Sequence, residues 1–193
     1  MSLSARRGTR RVLFENIPVE SLQKLFRDPL AVPIRFENAD QIQIDVNSGQ
    51  GVVADRANVA IVGYTAEQLD ALESSGRLDP SAEAVLLHSS LQVPAGAVET
   101  PLRFESRGIE LGVRRVLVSV GGGRDDELTL AFRTGTADLL PAMTATQYGE
   151  LFSEHRIEPS LVVPDNRPLT AYVTNPTGDN VDVSIIMEAY RTA

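Results

Sequence analysis

Few residues of this chain have the type and spacing that catalysis needs. Asp125-Asp126-Glu127 follow almost directly on Gly121-Gly122-Gly123. A carboxylate triplet offers oxygen ligands to a hard cation such as Ca²⁺, but this spacing matches no EF-hand loop. Glycines can let backbone amides cradle a phosphate when a strand precedes them, a helix follows, and a Gly-Lys-Ser/Thr sequence is present. Here a strand pattern follows and that sequence is missing, so the stretch reads as a hairpin tip with a solvated acidic loop. His88 and His155 are the only two histidines and lie far apart, whereas a cupin-type metal site wants several histidines and a carboxylate in two motifs. There is no cysteine, hence no disulfide, thiolate ligand or thiol nucleophile. No Gly-x-Ser-x-Gly elbow marks a serine hydrolase. The acids are scattered, and sequence gives no separation that would pair two of them for glycoside hydrolysis. The expectation is a non-enzymatic protein with no cofactor and no metal.

Charge layout says more than any motif. Net charge is −8 over 193 residues, yet residues 1–14 hold Arg6, Arg7, Arg10 and Arg11 and no acid. The remainder carries 14 basic against 26 acidic residues, a charge of −12. Such a body repels phosphate, so nucleic-acid contact is expected only through the basic N-terminal arm. A low aromatic content of 5%, with no Trp, weakens a sugar-stacking lectin. The 42% hydrophobic content is enough for a core. No apolar run has the ~18–20 residues of a membrane span, and the N-terminus lacks the apolar stretch of a signal peptide.

The elements that position these residues are mostly short strands. Residues 1–14 have little apolar content and no periodicity, and read as an arm. Ile17–Asp28 has a helical stripe in Leu22, Leu25 and Phe26. Strands are expected at 33–37, 41–46, 51–53 and 58–64. Thr65-Ala66-Glu67-Gln68 is a capping box that opens a helix toward Gly76, and Thr144-Ala145-Thr146-Gln147 opens another toward His155. A turn or helix start is expected at 79–83. Further strands are expected at 84–93, 100–105, 108–112, 114–120, 127–133 and 160–163, with 114–120 and 127–133 forming a hairpin around the triple glycine. The closing stretch, residues 168–190, reads as strand, polar turn Asn175–Asn180, strand. Leu169, Ala171 and Val173 alternate with polar residues, and Val181, Val183, Ile185, Met187 and Ala189 share one face. Ile186 and Tyr190 fall on the opposite face and read as a candidate contact surface. These patterns predict an all-β fold with short helical insertions near 65–76 and 144–155, a sandwich or barrel of antiparallel strands over residues 15–193.

The closing segment Leu169-Thr-Ala-Tyr-Val-Thr-Asn-Pro-Thr-Gly-Asp-Asn-Val-Asp-Val-Ser-Ile-Ile-Met-Glu-Ala-Tyr resembles the last strand pair of bacteriophage virion proteins built as β-sandwiches. The plan of basic arm, eight or so strands and helical insertions is similar to single jelly-roll capsid proteins and to head decoration (cement) proteins. The resemblance implies an antiparallel β-sandwich of jelly-roll-like type and a shell-building role at the virion, after synthesis in the host cytoplasm. Partners would be copies of itself and other virion proteins, with a homo-oligomer expected. Arg6, Arg7, Arg10, Arg11, Ile186 and Tyr190 are the candidates for contact between subunits or with nucleic acid. A tail-associated phage protein and a carbohydrate-binding sandwich are the alternatives, and a degenerate cupin-like barrel is the enzyme that would compete.

Overall fold

A computed structural model describes residues 2–7, 11–18, 42–47, 65–76, 84–106, 108–154 and 161–191, the first three segments by backbone and register. An N-terminal sheet holds β1 (Ser2–Arg7), β2 (Arg11–Pro18) and β3 (Ile42–Asn47) in the order β2-β1-β3. Helix α1 (Ala66–Ser74) begins at the expected capping box, with Thr65 Oγ1 accepting from the Gln68 amide and Gln68 Oε1 accepting from the Thr65 amide. Two four-stranded sheets follow. One contains β4 (Ala84–Val93), β6 (Leu111–Val120), β9 (Leu161–Val163) and β11 (Val181–Arg191) in the order β4-β11-β6-β9. The other contains β5 (Thr100–Phe104), β7 (Thr129–Thr134), β8 (Ala137–Thr144) and β10 (Leu169–Thr174) in the order β5-β10-β7-β8. Helix α2 (Ala145–Glu154) follows β8, and Thr144 and Gln147 exchange the second capping box.

The chain is an antiparallel β-sandwich with short helices. Its strand pairs are nested: β4 pairs with β11, β5 with β10, β6 with β9 and β7 with β8, all antiparallel. Between the sheets lies one core to which Val116, Val118 and Val120 of β6 contribute, with Leu130 and Phe132 of β7 and Leu169, Ala171 and Val173 of β10. Val181, Val183, Ile185, Met187 and Ala189 of β11 join them, which is the face that alternation assigns to the interior. Each large aliphatic side chain withdrawn from water there contributes about 1.5–3 kcal/mol. At the α2 end, Tyr148 enters this core edge-on to Phe132, with ring centroids 5.4 Å apart.

Strand pairing departs from expectation at both anticipated hairpins. β10 and β11 lie in different sheets, as do β6 and β7. The Asn175–Asn180 turn and the triple glycine are therefore arches that carry the chain across the sandwich. Alternation decides which side chains share a face, but it is silent on which strand lies alongside; sheets that pack ~10 Å apart need arches to close one core. At the triple glycine, Gly122 and Gly123 take φ of +74° and +71°, backbone that glycine enters without a Cβ clash. The direct hairpin of the sandwich is β7–β8, turning at Gly135-Thr136. β8 was not expected, because Pro141 interrupts a segment without alternation.

Other differences are local. The strands expected at 108–112 and 114–120 are one strand, β6, with a register shift against β11 between Glu188 and Ala189. That bulge lets Val113 and Val116 both reach the core. The arm expected over residues 1–14 is largely strand, and β2 runs through the boundary anticipated at residue 14. β1 is the central strand of its sheet because apolar rungs meet there: Leu3 is registered with Val46 and Ile17, and Ala5 with Ile44 and Phe14. Ile17 and Pro18, where the expected Ile17–Asp28 helix would begin, instead end β2; the rest of that helix, the strands at 33–37, 51–53 and 58–64, and the turn at 79–83 lie outside the described residues. None of the described helices is long and apolar enough to cross a membrane.

Candidate functional site

Three chain crossings meet at one end of the sandwich, and Asn175 sits at their junction. Its side chain is fully buried. Nδ2 lies 3.2 Å from the Val93 carbonyl, 3.0 Å from that of Pro94 and 2.8 Å from that of Asp179. Oδ1 accepts from the Thr177 amide at 3.0 Å and from the Thr177 hydroxyl at 2.7 Å. The Asn175 amide donates to the Ala97 carbonyl at 2.8 Å, and the Gly96 amide to that of Thr177 at 3.0 Å. One residue thus ties the β4–β5 arch to the β10–β11 arch. Arg124, just past the triple glycine, adds the third, with Nη2 2.7 Å from Asp179 Oδ2. The Asp179 hydrogen bond and the Glu127 carboxylate together raise the Arg124 pKa above its usual value.

The acidic loop belongs to the same end. Asp125 Oδ1 accepts from the Val120 amide at 3.2 Å, and its backbone carbonyl accepts from the first amide of α2 at 2.9 Å. Asp125 therefore shapes the arch and fixes the start of the helix. Asp126 and Glu127 are exposed, with Glu127 3.8 Å from Arg124. Among the described residues no three acidic or histidine side chains gather as a metal-binding group. His88 places Nε2 3.0 Å from Ser184 Oγ; His155 lies outside the described residues.

The contact candidates are dispersed. Arg6 and Arg7 lie in β1 and Arg11 begins β2, where Arg7 is registered opposite Arg11. Arg10 lies outside the described residues. Ile186 is 1% exposed, so the outer face of β11 offers no open surface there and the expectation of a contact patch at Ile186 is corrected. The alternation is right and Ile186 does face away from the main core; the face is simply covered within the chain, with Ser184 and Glu188 buried beside it. β2 approaches the neighbouring β4 on this sheet. Glu188 is met across the ladder by Arg115, Nε to Oε2 3.1 Å. Tyr190 is half-buried near the strand's end.

The second sheet has the more open outer face. Tyr172 lies on it, but the Arg133 guanidinium covers the ring at 4.8 Å from the centroid. Arg133 is held in place by Glu99, 2.9 Å away, and by Asp138. Those two carboxylates hold the guanidinium well above its usual pKa, and the Arg133 hydrogen bond holds Glu99 below the usual carboxylate range. A ring occupied in this way is a poor platform for stacking a sugar. Sequence reasoning missed Asn175, Arg133 and the Arg115–Glu188 pair. Only Asn175-Pro176 carried a signal, as a turn dipeptide.

No protein-family model, curated protein or solved structure matches this chain.

Proposed function

We propose that this chain is a structural virion subunit, a capsid-shell or head-decoration protein of an icosahedral phage, acting by self-assembly and not by catalysis. The observation that carries the reading is the nested strand order. Counting the sandwich strands from β4 as first, one sheet runs first, eighth, third, sixth and the other second, seventh, fourth, fifth. This order fits two Greek keys wound as a jelly roll, an architecture of viral capsid domains that lectins and cupins also use. Because a fold does not fix function, the charge layout supplies the second support. A body of −12 with four arginines in its first fourteen residues is suited to contacts between that basic N-terminal stretch, three of whose arginines lie in β1 and β2, and the acidic body of a neighbouring copy.

Sedimentation velocity on the purified chain tests the proposal across ionic strengths of about 0.01–1 M, over which the Debye length falls from ~30 to ~3 Å. Association that changes with salt is expected, and a strict monomer at every ionic strength overturns it. Binding of a defined glycan by an otherwise monomeric chain would move the reading to a carbohydrate-binding module. Stoichiometric metal in the purified protein would revive the cupin-like enzyme.

A further inference from the structure

We infer that the C-terminal half of β4, Ser89–Val93, is a homotypic interface: it pairs antiparallel with the same segment of a second copy, about a two-fold axis at Leu91. The inference deepens the self-assembly reading and rests on it for the choice of partner.

Sheet edges expose backbone donors and acceptors, and folded proteins guard them with proline, charge, bulges or brevity. Three of the four sandwich edges are guarded in this way. β5 carries Pro101 and Arg103. β8 carries Asp138 and Pro141 and has register shifts in its ladder. β9 is only three residues long and runs into Pro164. β4 carries none of these devices: its 10 residues contain no Asp, Glu, Lys, Arg or Pro, and its ladder with β11 runs without a register shift. β2 approaches β4 but forms no ladder with it.

Apolar exposure concentrates at the same place. Among the described residues the exposed large hydrophobics are Leu91, at 38%, and Val98, at 74%, the second in the loop leaving β4. Ser90 and Gln92 flank Leu91 and are also exposed.

Charge selects the occupant. Two bodies of −12 repel over most of their surfaces. The uncharged β4 edge is a place where two copies can meet without juxtaposing like charges. A two-fold axis at Leu91 sets Leu91 against Leu91 and Ser89 against Val93, and joins two four-stranded sheets into one. Such an interface is isologous and closes as a dimer.

Full-length chains carrying Leu91→Lys or Ser90→Lys are compared with the wild type by sedimentation velocity over a concentration series, with melting temperature as the control for folding. Each substitution is expected to weaken association at least about tenfold, because it places like charges across the axis. If Leu91→Lys does not fold, the exposed Ser90→Lys decides. Because the chain has no cysteine, Leu91→Cys gives a second readout. It is expected to form a disulfide-linked dimer under mild oxidation, while Thr146→Cys on the exposed side of α2 is not. Association undiminished in both lysine variants, or equal cross-linking at the two cysteine positions, overturns the β4 pairing and leaves self-assembly standing. A wild type that never associates removes both.

Discussion

Arg115 and Glu188 face each other across the β6–β11 ladder, 3.1 Å apart, on the side of the sheet turned away from the sandwich core. Their side chains are 9% and 2% exposed, so neither charge is solvated by bulk water. Removing one partner takes the 3.1 Å ion pair away from a charge that stays buried. Glu188→Ala is therefore expected to destabilise the fold by about 3–5 kcal/mol, read from urea denaturation. The double replacement Arg115→Met with Glu188→Leu should recover most of that loss, since matched apolar residues avoid the desolvation cost. A double variant as unstable as the single one would show that the pair does more than neutralise itself.

Asn175 ties two of the three arches through groups that only a carboxamide supplies together. Its Nδ2 donates among three carbonyls while Oδ1 accepts from Thr177. Asn175→Asp keeps the shape but turns the donor into an acceptor facing those carbonyls. Each buried carbonyl deprived of its donor costs about 1–3 kcal/mol, so Asn175→Asp should lower the melting temperature more than Thr177→Ala does. Equal melting temperatures for the two variants would mean that the arches are held by the backbone bonds alone.

What the sequence made legible followed from how local each signal is. Both capping boxes were readable because cap and partner lie three residues apart, and α1 and α2 begin where they should. The inward face of β11 was readable because alternation is a property of one strand. The partner of β11 was not, because Asn175–Asn180 has the residues of a tight turn, and the same residues serve an arch whose asparagine is drawn into the interior. Ile186 shows a second limit. Alternation puts it opposite the main core, but whether that face meets water depends on chain segments far away in sequence. β8 and the Arg115–Glu188 pair were invisible for related reasons, the first hidden by Pro141 and the second joining residues on two separate strands.

The Tyr148 hydroxyl lies 3.2 Å from the Leu130 carbonyl and 3.1 Å from that of Pro141, and can donate to one at a time. Burial pushes its pKa above the usual phenol range. Because the folded value exceeds the unfolded one, the contribution of Tyr148 is whole below the unfolded pKa of about 10 and is lost as pH rises toward the folded value. Stability measured by urea titration should therefore fall above pH ~10. Tyr148→Phe should cost about 1 kcal/mol at neutral pH and flatten the alkaline decline. An alkaline slope unchanged in Tyr148→Phe would assign the decline to other groups.

The arginines near the N-terminus now need a more selective test than deletion. Removing residues 1–12 would take away β1, the central strand of its sheet, and so would mix loss of charge with loss of structure. Arg7 and Arg11 share a rung of the β1–β2 ladder, where like charges directly opposite each other are unfavourable. An acidic surface on a neighbouring copy would relieve that repulsion, and so would salt. Replacing both with serine is expected to leave the melting temperature of the sandwich unchanged. Association should weaken, and its dependence on ionic strength should become shallower. If association and its salt dependence are unchanged, these two arginines are not assembly contacts. If instead the sandwich itself melts early, the N-terminal sheet supports the body, and its charges act on folding before they act on any neighbour.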